Sequence, residues 1–497
     1  MEKIKIGFVG TDGRSFLSAL ETGRSKSELY DGEFEGFILR GTSAMLPLAE
    51  IMNWPVGLIQ VKENSASAFA EVLINAFEKN ELDLAMVLPE TLIFNGLVDE
   101  IITAGHGDKI IGLDKSGAFI EADKIACKNL CRDAGIPVAD KWEEVDASDF
   151  NKVLEICLDY LHEFGGVVLK YPFSAGGKGA RIILNTWEIK ATYDQLIADY
   201  KNAYTDQFGR KNYWPLLIEA RMSGVEISFT ILVDKNGNYQ ILPTAMDYPE
   251  RFAGPPGIHN PITGGMGAIS PHPLESAELI EMAKEKIAEP LIKIMKEKGI
   301  LRQCVLYPGC FVSFYKDFKP RDIRVCEINI RLGEPEFQPV VKRLRNLGPL
   351  IKAMADGNLD NVTPEIRGDQ ISICVVLVTG PGGPQGQKGY PWSYTKDEEV
   401  IIDFEYLKKK NITLIPSAMS YDVENNKFRS DGSRVCYLLA NAKIKPGQKI
   451  SDVAEILRQK LFSAFDNCKV RAIPREDTNG NRLDLRRDIG LQYEIYG

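Results

Sequence analysis

Histidine is nearly absent from this chain: four residues, at positions 106, 162, 259 and 272, in a length of 497. A metal centre built from several imidazoles would have to recruit nearly all of them and is not expected. No apolar run approaches the roughly 20 residues a membrane-crossing helix needs, so no membrane partner is expected. An excess of basic charge is missing too, since 60 Lys+Arg stand against 69 Asp+Glu for a net charge of −9. Nucleic-acid surfaces neutralise phosphates with clustered Lys and Arg, which removes that partner class. Anionic small molecules remain, because a pocket can be basic on an acidic protein. The nine cysteines (127, 131, 157, 304, 310, 326, 374, 436 and 468) show no secreted-framework spacing. Cys127 and Cys131 lack a second pair to complete a metal site and read as buried helix thiols. Reduced thiols, with a strand where an apolar leader would stand, give an expected cytoplasmic location.

What is present is ordinary for a globular protein: 44% hydrophobic and 26% charged residues. The length suggests about three domains. Residues 1–115 alternate strand and helix signals: strands at 5–9, 34–39, 82–88 and 110–112, with helices from 14 and over 68–77. That order implies an open parallel sheet with ligands at the carboxyl ends of its strands. A second region, 116–355, has helices at 124–134, 149–164, 273–298 and 347–355. Its expected strands are 167–171, 216–220, 226–233, 239–242, 309–315 and 324–328. A β-rich third region, 370–497, carries a strand at 371–378 and a helix at 452–465. No internal repeat appears.

The glycines at 7, 10 and 13 sit on the first strand-to-helix turn, where backbone amides and the helix N-terminus can receive a phosphate. The spacing is not the dinucleotide pattern, and the second strand ends in Arg40 instead of an acidic ribose ligand, which disfavours nicotinamide or flavin. Arg14 adds a permanent charge at that end, and Glu90 falls on the same rim. Lys170 ends a strand, and a glycine loop, 174–179, follows with a second lysine, Lys178. Glycines let amides approach phosphate oxygens and lysines neutralise them. In the segment 324–336, Glu327, Asn329 and Arg331 share one face of a strand, and Cys326, Ile328 and Ile330 the other. A carboxylate beside an amide oxygen suits Mg²⁺, and a guanidinium suits a carboxylate or phosphoryl oxygen. Glu219, Glu226 and Ser228 present polar groups either to an adenosine or to solvent, and these segments do not choose between the two. The glycine-rich 260–268 is equally open.

Together these pieces resemble the ATP-grasp superfamily. Their order is similar to that of the phosphoribosylamine–glycine ligases of purine synthesis. The resemblance rests on Asp123-Lys124 with Gly135-Ile136-Pro137, and on Pro243-Thr244-Ala245-x-Asp247. It also rests on Asn260…Thr263-Gly264-Gly265-Met266-Gly267-Ala268-x-Ser270-Pro271 and Glu327-x-Asn329-x-Arg331-x-Gly333-x-Pro335-Glu336. Gly432-Ser433-Arg434-Val435 and Arg486-Arg487-Asp488-Ile489-Gly490 complete it. It implies an α/β protein in which an ATP-grasp fold over 116–355 follows an open parallel α/β domain and precedes a small β-rich α+β domain. It further implies an ATP-dependent carboxylate–amine ligase that forms a glycyl phosphate, which an amine attacks to give an amide, ADP and phosphate. Lys124, Lys170 and Lys178 would contact nucleotide phosphates, Glu219 and Glu226 the adenosine, and Glu327 and Asn329 the Mg²⁺, with Mn²⁺ as an alternative. Asp247, Gly264, Gly265, Met266 and Arg331 would face the acyl phosphate and substrates, with Arg331, Lys178, Asp247 and Gly265 catalytic. Gly13, Arg14 and Glu90 would hold the amine.

The departures concentrate on the amine side. Asp12-Gly13-Arg14-Ser15-Phe16 stands for the family's Gly-Gly-Arg-Glu-His, and Leu88-Pro89-Glu90 for Gly-Pro-Glu. Asp247-Tyr248-Pro249 replaces Asp-His-Lys, and Ala220 replaces a second glutamate. A paralogous ligase with another amine or acid is therefore the alternative. A biotin-carboxylase-type enzyme would need a biotin-bearing partner, and a nucleotide sensor would not need the metal-transfer residues. The expected partners are small molecules, an amino acid and a phosphorylated amine, acted on by a monomer or homodimer.

Overall fold

The first strand, Ile4–Gly10, is apolar from Ile6 to Val9 and lies in the middle of a sheet, so both of its faces are covered. Parallel neighbours on either side, Phe34–Arg40 and Leu84–Val87, are followed outward by Val56–Ile59 and Ile110–Ile111. Strand order therefore reverses between Ile4–Gly10 and Leu84–Val87, which opens a crevice beyond their carboxyl ends. Asp12-Gly13 and Pro89-Glu90 sit at that crevice. The computed structural model describes residues 3–25, 32–173, 179–207, 214–257, 259–380, 389–473 and 482–496. Among them, no helix is long and apolar enough to cross a membrane.

Two antiparallel sheets follow. One is ordered Trp142–Asp146, Pro215–Ala220, Val167–Lys170, Ala180–Ile183. The other is built on the long strand Cys304–Phe314, which pairs with Val225–Ser228, Ile231–Val233 and Pro320–Asn329. The expected strand at 226–233 is broken in two here, because Phe229 and Thr230 run opposite Pro308, which has no N–H to donate to a ladder. The expected helix at 273–298 begins later, at Ala277, and widens by one π-type turn at Lys284–Ala288. Glu289 N donates to Lys284 O there, just ahead of Pro290, which cannot donate to the turn before it.

Pro320–Asn329 also departs from simple alternation. Gly309 pairs with Glu327 but Cys310 with Val325, so Cys326 is the extra residue of a β-bulge. Ile323 and Val325 point into the core before the bulge, Ile328 and Ile330 after it. Cys326 is thereby turned off the apolar face expected for it, and its Sγ lies 3.4 Å from Lys170 Nζ.

The C-terminal sheet centres on Gln370–Thr379, buried along nearly its whole length. It pairs with Arg434–Lys443 on one side and with Gly267–Ser270 on the other. The glycine-rich 260–268 thus leads from the central region into a strand of the C-terminal sheet. One hydrophobic core runs from Phe8 and Phe16 through Met266 to Val376 and Leu439.

Candidate active site

Asp123 caps the helix Lys124–Asp133, its Oδ1 accepting from the amides of Ile125 and Ala126. That fixes Lys124 at the mouth of a cavity lined also by Glu121, Lys128, Lys170, Cys326, Glu327 and Asn329. Lys124 and Lys170 therefore come together, as expected. Glu219, only 1% exposed, lies between two lysines: Oε1 is 2.5 Å from Lys128 Nζ, and Oε2 pairs with Lys170. Burial alone would raise this carboxyl, but Lys128 and Lys170 outweigh it and hold Glu219 at about 2. Lys178 lies outside the described residues.

Glu327 and Asn329 meet at 3.4 Å, Nδ2 donating to Oε1, and Arg331 Nη2 reaches Asn329 Oδ1 at 3.5 Å. Burial pushes Glu327 up, and Lys124 and Lys170 more than reverse it. Nearby, Glu226 is solvent-exposed, and desolvation by the surrounding groups with repulsion from Glu250, Glu327 and Glu336 pushes it up to about 7. Such crowding of carboxylates is what a divalent cation relieves. Among the described residues no group of three or more His, Cys, Asp or Glu is arranged to hold a metal. A pair of hard oxygen donors still fits Mg²⁺, which fills its octahedron with water and phosphates.

Arg331 is a junction. Its Nε lies 2.9 Å from Glu90 Oε2 and its Nη2 3.1 Å from Glu121 Oε1, while Glu121 Oε2 accepts from Ile330 N at 2.9 Å. The strand carrying Glu327 and Asn329 is thereby tied to the crevice of the N-terminal sheet, and Glu90 stands on that rim. Asp247 and Gly265 also meet. Gly265 has φ +94°, and a Cβ there would lie 2.8 Å from Asp247 Oδ1 and 2.3 Å from Pro335 Cδ. Burial, with Glu336 and Glu226, raises Asp247 well above the usual carboxylate range. Asp247 Oδ1 is buried with no hydrogen-bond partner among the described residues, and the Tyr307 hydroxyl lies against Ser228 and Glu336 in the same corner.

Other expectations are displaced. Met266 is fully buried in the main core, so its side chain packs instead of facing a substrate. The Gly264 amide donates to the Tyr390 hydroxyl at 3.0 Å and that of Gly265 to Thr263 Oγ1 at 3.1 Å, so both are used within the chain. The helix Gly13–Gly23 does not end in an open anion site. Asp12 Oδ1 accepts from the amides of Arg14 and Ser15, and Gly13 N donates to Glu334 Oε1 at 3.1 Å. Arg14 is 5% exposed and spends its donors on Asp12 and on Leu332 O, with Glu334 Oε2 at 3.4 Å from Nε. The chain's own carboxylates occupy the place read as a phosphate cradle. Phe16 is fully buried and packs against Trp54.

Sequence reasoning missed Lys128, Glu121, Glu334 and Glu336. Lys128 stands one turn after Lys124, a spacing that puts both on one helix side. Glu334 and Glu336 fall within the quoted motif, whereas Glu121 carries no local signal.

Two antiparallel sheets closing on a cavity of lysines, carboxylates and an amide define the ATP-grasp class of enzyme. Residues 122–337 match the family model described as phosphoribosylglycinamide synthetase, ATP-grasp (A) domain. The phosphoribosylamine–glycine ligase of Pasteurella multocida is 30% identical over 406 residues, 80% of this chain and 86% of that one. That of Rhodopirellula baltica is 30% identical over 331 residues, 66% and 70% of the two chains. In fold, the crystal structure of phosphoribosylamine–glycine ligase from Thermotoga maritima superposes with a TM-score of 0.67 at 20% identity, covering 98% of this chain and all of that one. The chain belongs to the phosphoribosylamine–glycine ligase family.

Proposed function

We propose that this protein joins glycine to 5-phosphoribosylamine at the expense of ATP, forming glycinamide ribonucleotide, ADP and phosphate. The observation that carries the reading is one continuous site: the cavity of Lys124, Lys170, Glu327 and Asn329 connects through Arg331 to Glu90 at the crevice of the first sheet. Lys124 and Lys170 hold nucleotide phosphates, and Glu219 and Glu226 the adenosine. Glu327 and Asn329 hold Mg²⁺, which when bound supplies charge neutralisation at the transferring phosphoryl group. The glycine carboxylate accepts the γ-phosphoryl group, and the amine nitrogen then displaces phosphate from the acyl carbon. Asp247, beside Gly265, lies on the acyl side, and Arg331 and Glu90 orient the amine. No covalent enzyme intermediate is needed, so catalysis comes from positioning and electrostatics. The protein acts on small molecules in the cytoplasm, as a monomer or homodimer.

One observation favours a second reading, a paralogous ligase for an amine without a phosphate: Asp12 and Glu334 already occupy the amides at the Gly13–Gly23 helix end. Phosphate release with Mg-ATP over a panel of amino acids and amines decides. Release that requires both glycine and 5-phosphoribosylamine is expected. Release with unphosphorylated amines and none with phosphoribosylamine would transfer the protein to the paralogous reading.

A further inference from the structure

The helix Lys124–Asp133 carries a second lysine inside the cavity, and the ligation chemistry above gives it no task. Lys128 is 4% exposed, its Nζ lies 2.5 Å from Glu219 Oε1, and it also donates to Val325 O at 3.4 Å. Glu219 is 1% exposed, and its other oxygen pairs with Lys170. Each lysine therefore has its own carboxylate oxygen. We propose that Lys128 is a positioning residue for nucleotide binding: it keeps Glu219 paired, so that Lys170 can transfer from Glu219 to a nucleotide phosphate.

The argument concerns what happens to Glu219 when Lys170 moves. A carboxylate this deeply buried is strongly disfavoured once its only cation leaves, because water cannot replace the lost partner. With Lys170 as sole partner, Glu219 would compete with the phosphate for that lysine. A second lysine on the opposite oxygen removes the competition and keeps Glu219 ionised as a hydrogen-bond acceptor. Lys128 is suited to this and not to direct phosphate contact, because its ammonium is already shared between Glu219 and Val325 O. That second bond also anchors it to the strand carrying Glu327, two residues beyond Val325. The low value at which Glu219 is held agrees with two cations acting on it. The proposal rests on the reading of this cavity as the ATP site.

The test is steady-state kinetics and direct ATP-analogue binding with Lys128→Met, Glu219→Gln and the double variant, each checked for folding by its melting curve. Lys128→Met is expected to raise KM for ATP and the analogue Kd about tenfold or more, with kcat and KM for glycine changed less than about twofold. In the Glu219→Gln background, where no carboxylate remains to compete, adding Lys128→Met should leave the ATP KM where Glu219→Gln alone put it. Lys128→Arg, which retains the charge, should restore part of the ATP affinity. If Lys128→Met does not fold, the comparison of Glu219→Gln with the double variant stands by itself, since neither strands a buried carboxylate. An unchanged ATP KM in Lys128→Met would overturn the proposal, as would an equal rise in all substrate KM values or a further tenfold rise in the double variant. Wild-type enzyme that binds no ATP analogue would instead overturn the nucleotide reading, and the role of Lys128 with it.

Discussion

Glu327 illustrates how one side chain serves two balances. Its carboxylate is stabilised by Lys124 and Lys170 in the absence of a metal, and it offers a hard oxygen to one. Glu327→Gln preserves shape but removes that charge, so turnover should fall on the order of a hundredfold. The loss should be partly recovered by raising Mg²⁺, with the melting temperature moving little. Near-normal activity at low Mg²⁺ would cancel the metal assignment. Arg14 carries the opposite lesson. Its sequence position suggests an amine-phosphate contact, but it neutralises Asp12 and Glu334 behind the surface. Burial and Asp12 push Glu334 up, while Arg14 outweighs burial and holds Asp12 down. Arg14→Ala should therefore destabilise the fold by about 3–5 kcal/mol, the cost of breaking a buried pair from one side. Thermal melting checks this. A variant that melts with the parent and loses only amine affinity would restore the open-rim reading.

At the scale of elements, local patterns reported well and junctions did not. Apolar periodicity located four of the five strands of the first sheet, though not Val56–Ile59, and the helices at 124–134 and 149–164 within a residue or two of their ends, because burial of one side repeats along the segment. The bulge at Cys326 has no such signature: it is set by how Pro320–Asn329 registers against Cys304–Phe314. Nor could composition show that the glycine-rich 260–268 feeds a strand into another region's sheet. Two glycines in that segment are required: Gly265 for its positive φ and the approach of Pro335 and Asp247, and Gly267 because a Cβ there would lie 2.6 Å from Cys374 O. Gly265→Ala should lower kcat/KM on the order of a hundredfold by displacing Asp247. Gly135→Ala is the control: its φ is +71°, but no atom lies within 4 Å of the added Cβ. It should cost about 1–2 kcal/mol of stability and leave kinetics unchanged. Equal kinetic losses in the two variants would mean that Gly265 matters only for its backbone.

For the whole molecule, two buried groups predict sensitivity to acid. Burial holds His272 neutral, with a pKa of about 3. A histidine depressed in the folded state contributes stability that is present above its ordinary value near 6.5 and is lost as pH falls toward 3. Glu219, held at about 2, contributes stability present above about 4.5 and lost on further acidification toward 2. The first loss should thus begin in the pH 6–4 window and belong to His272. Its full extent is on the order of 5 kcal/mol. His272→Asn keeps an acceptor for the Leu274 amide without titrating, and its acid-unfolding midpoint should fall by several tenths of a pH unit. An unmoved midpoint would assign the acid step elsewhere.

What the sequence determined by itself is what short-range physics controls. The alternation of strand and helix, the turns that need glycine, and the run Glu327-x-Asn329-x-Arg331 are properties of consecutive residues. The shared face of Glu327, Asn329 and Arg331 and the strand-ending Lys170 were legible for that reason, whereas Lys124 entered only through the family resemblance. Only the tertiary structure decided which charge faces which. Gly13 meets Glu334 across 321 residues, Lys128 and Lys170 divide Glu219 between them, and Met266 turns into the core. A buried charge must be neutralised by whatever side chain the fold brings within about 3 Å, and sequence separation does not enter that requirement.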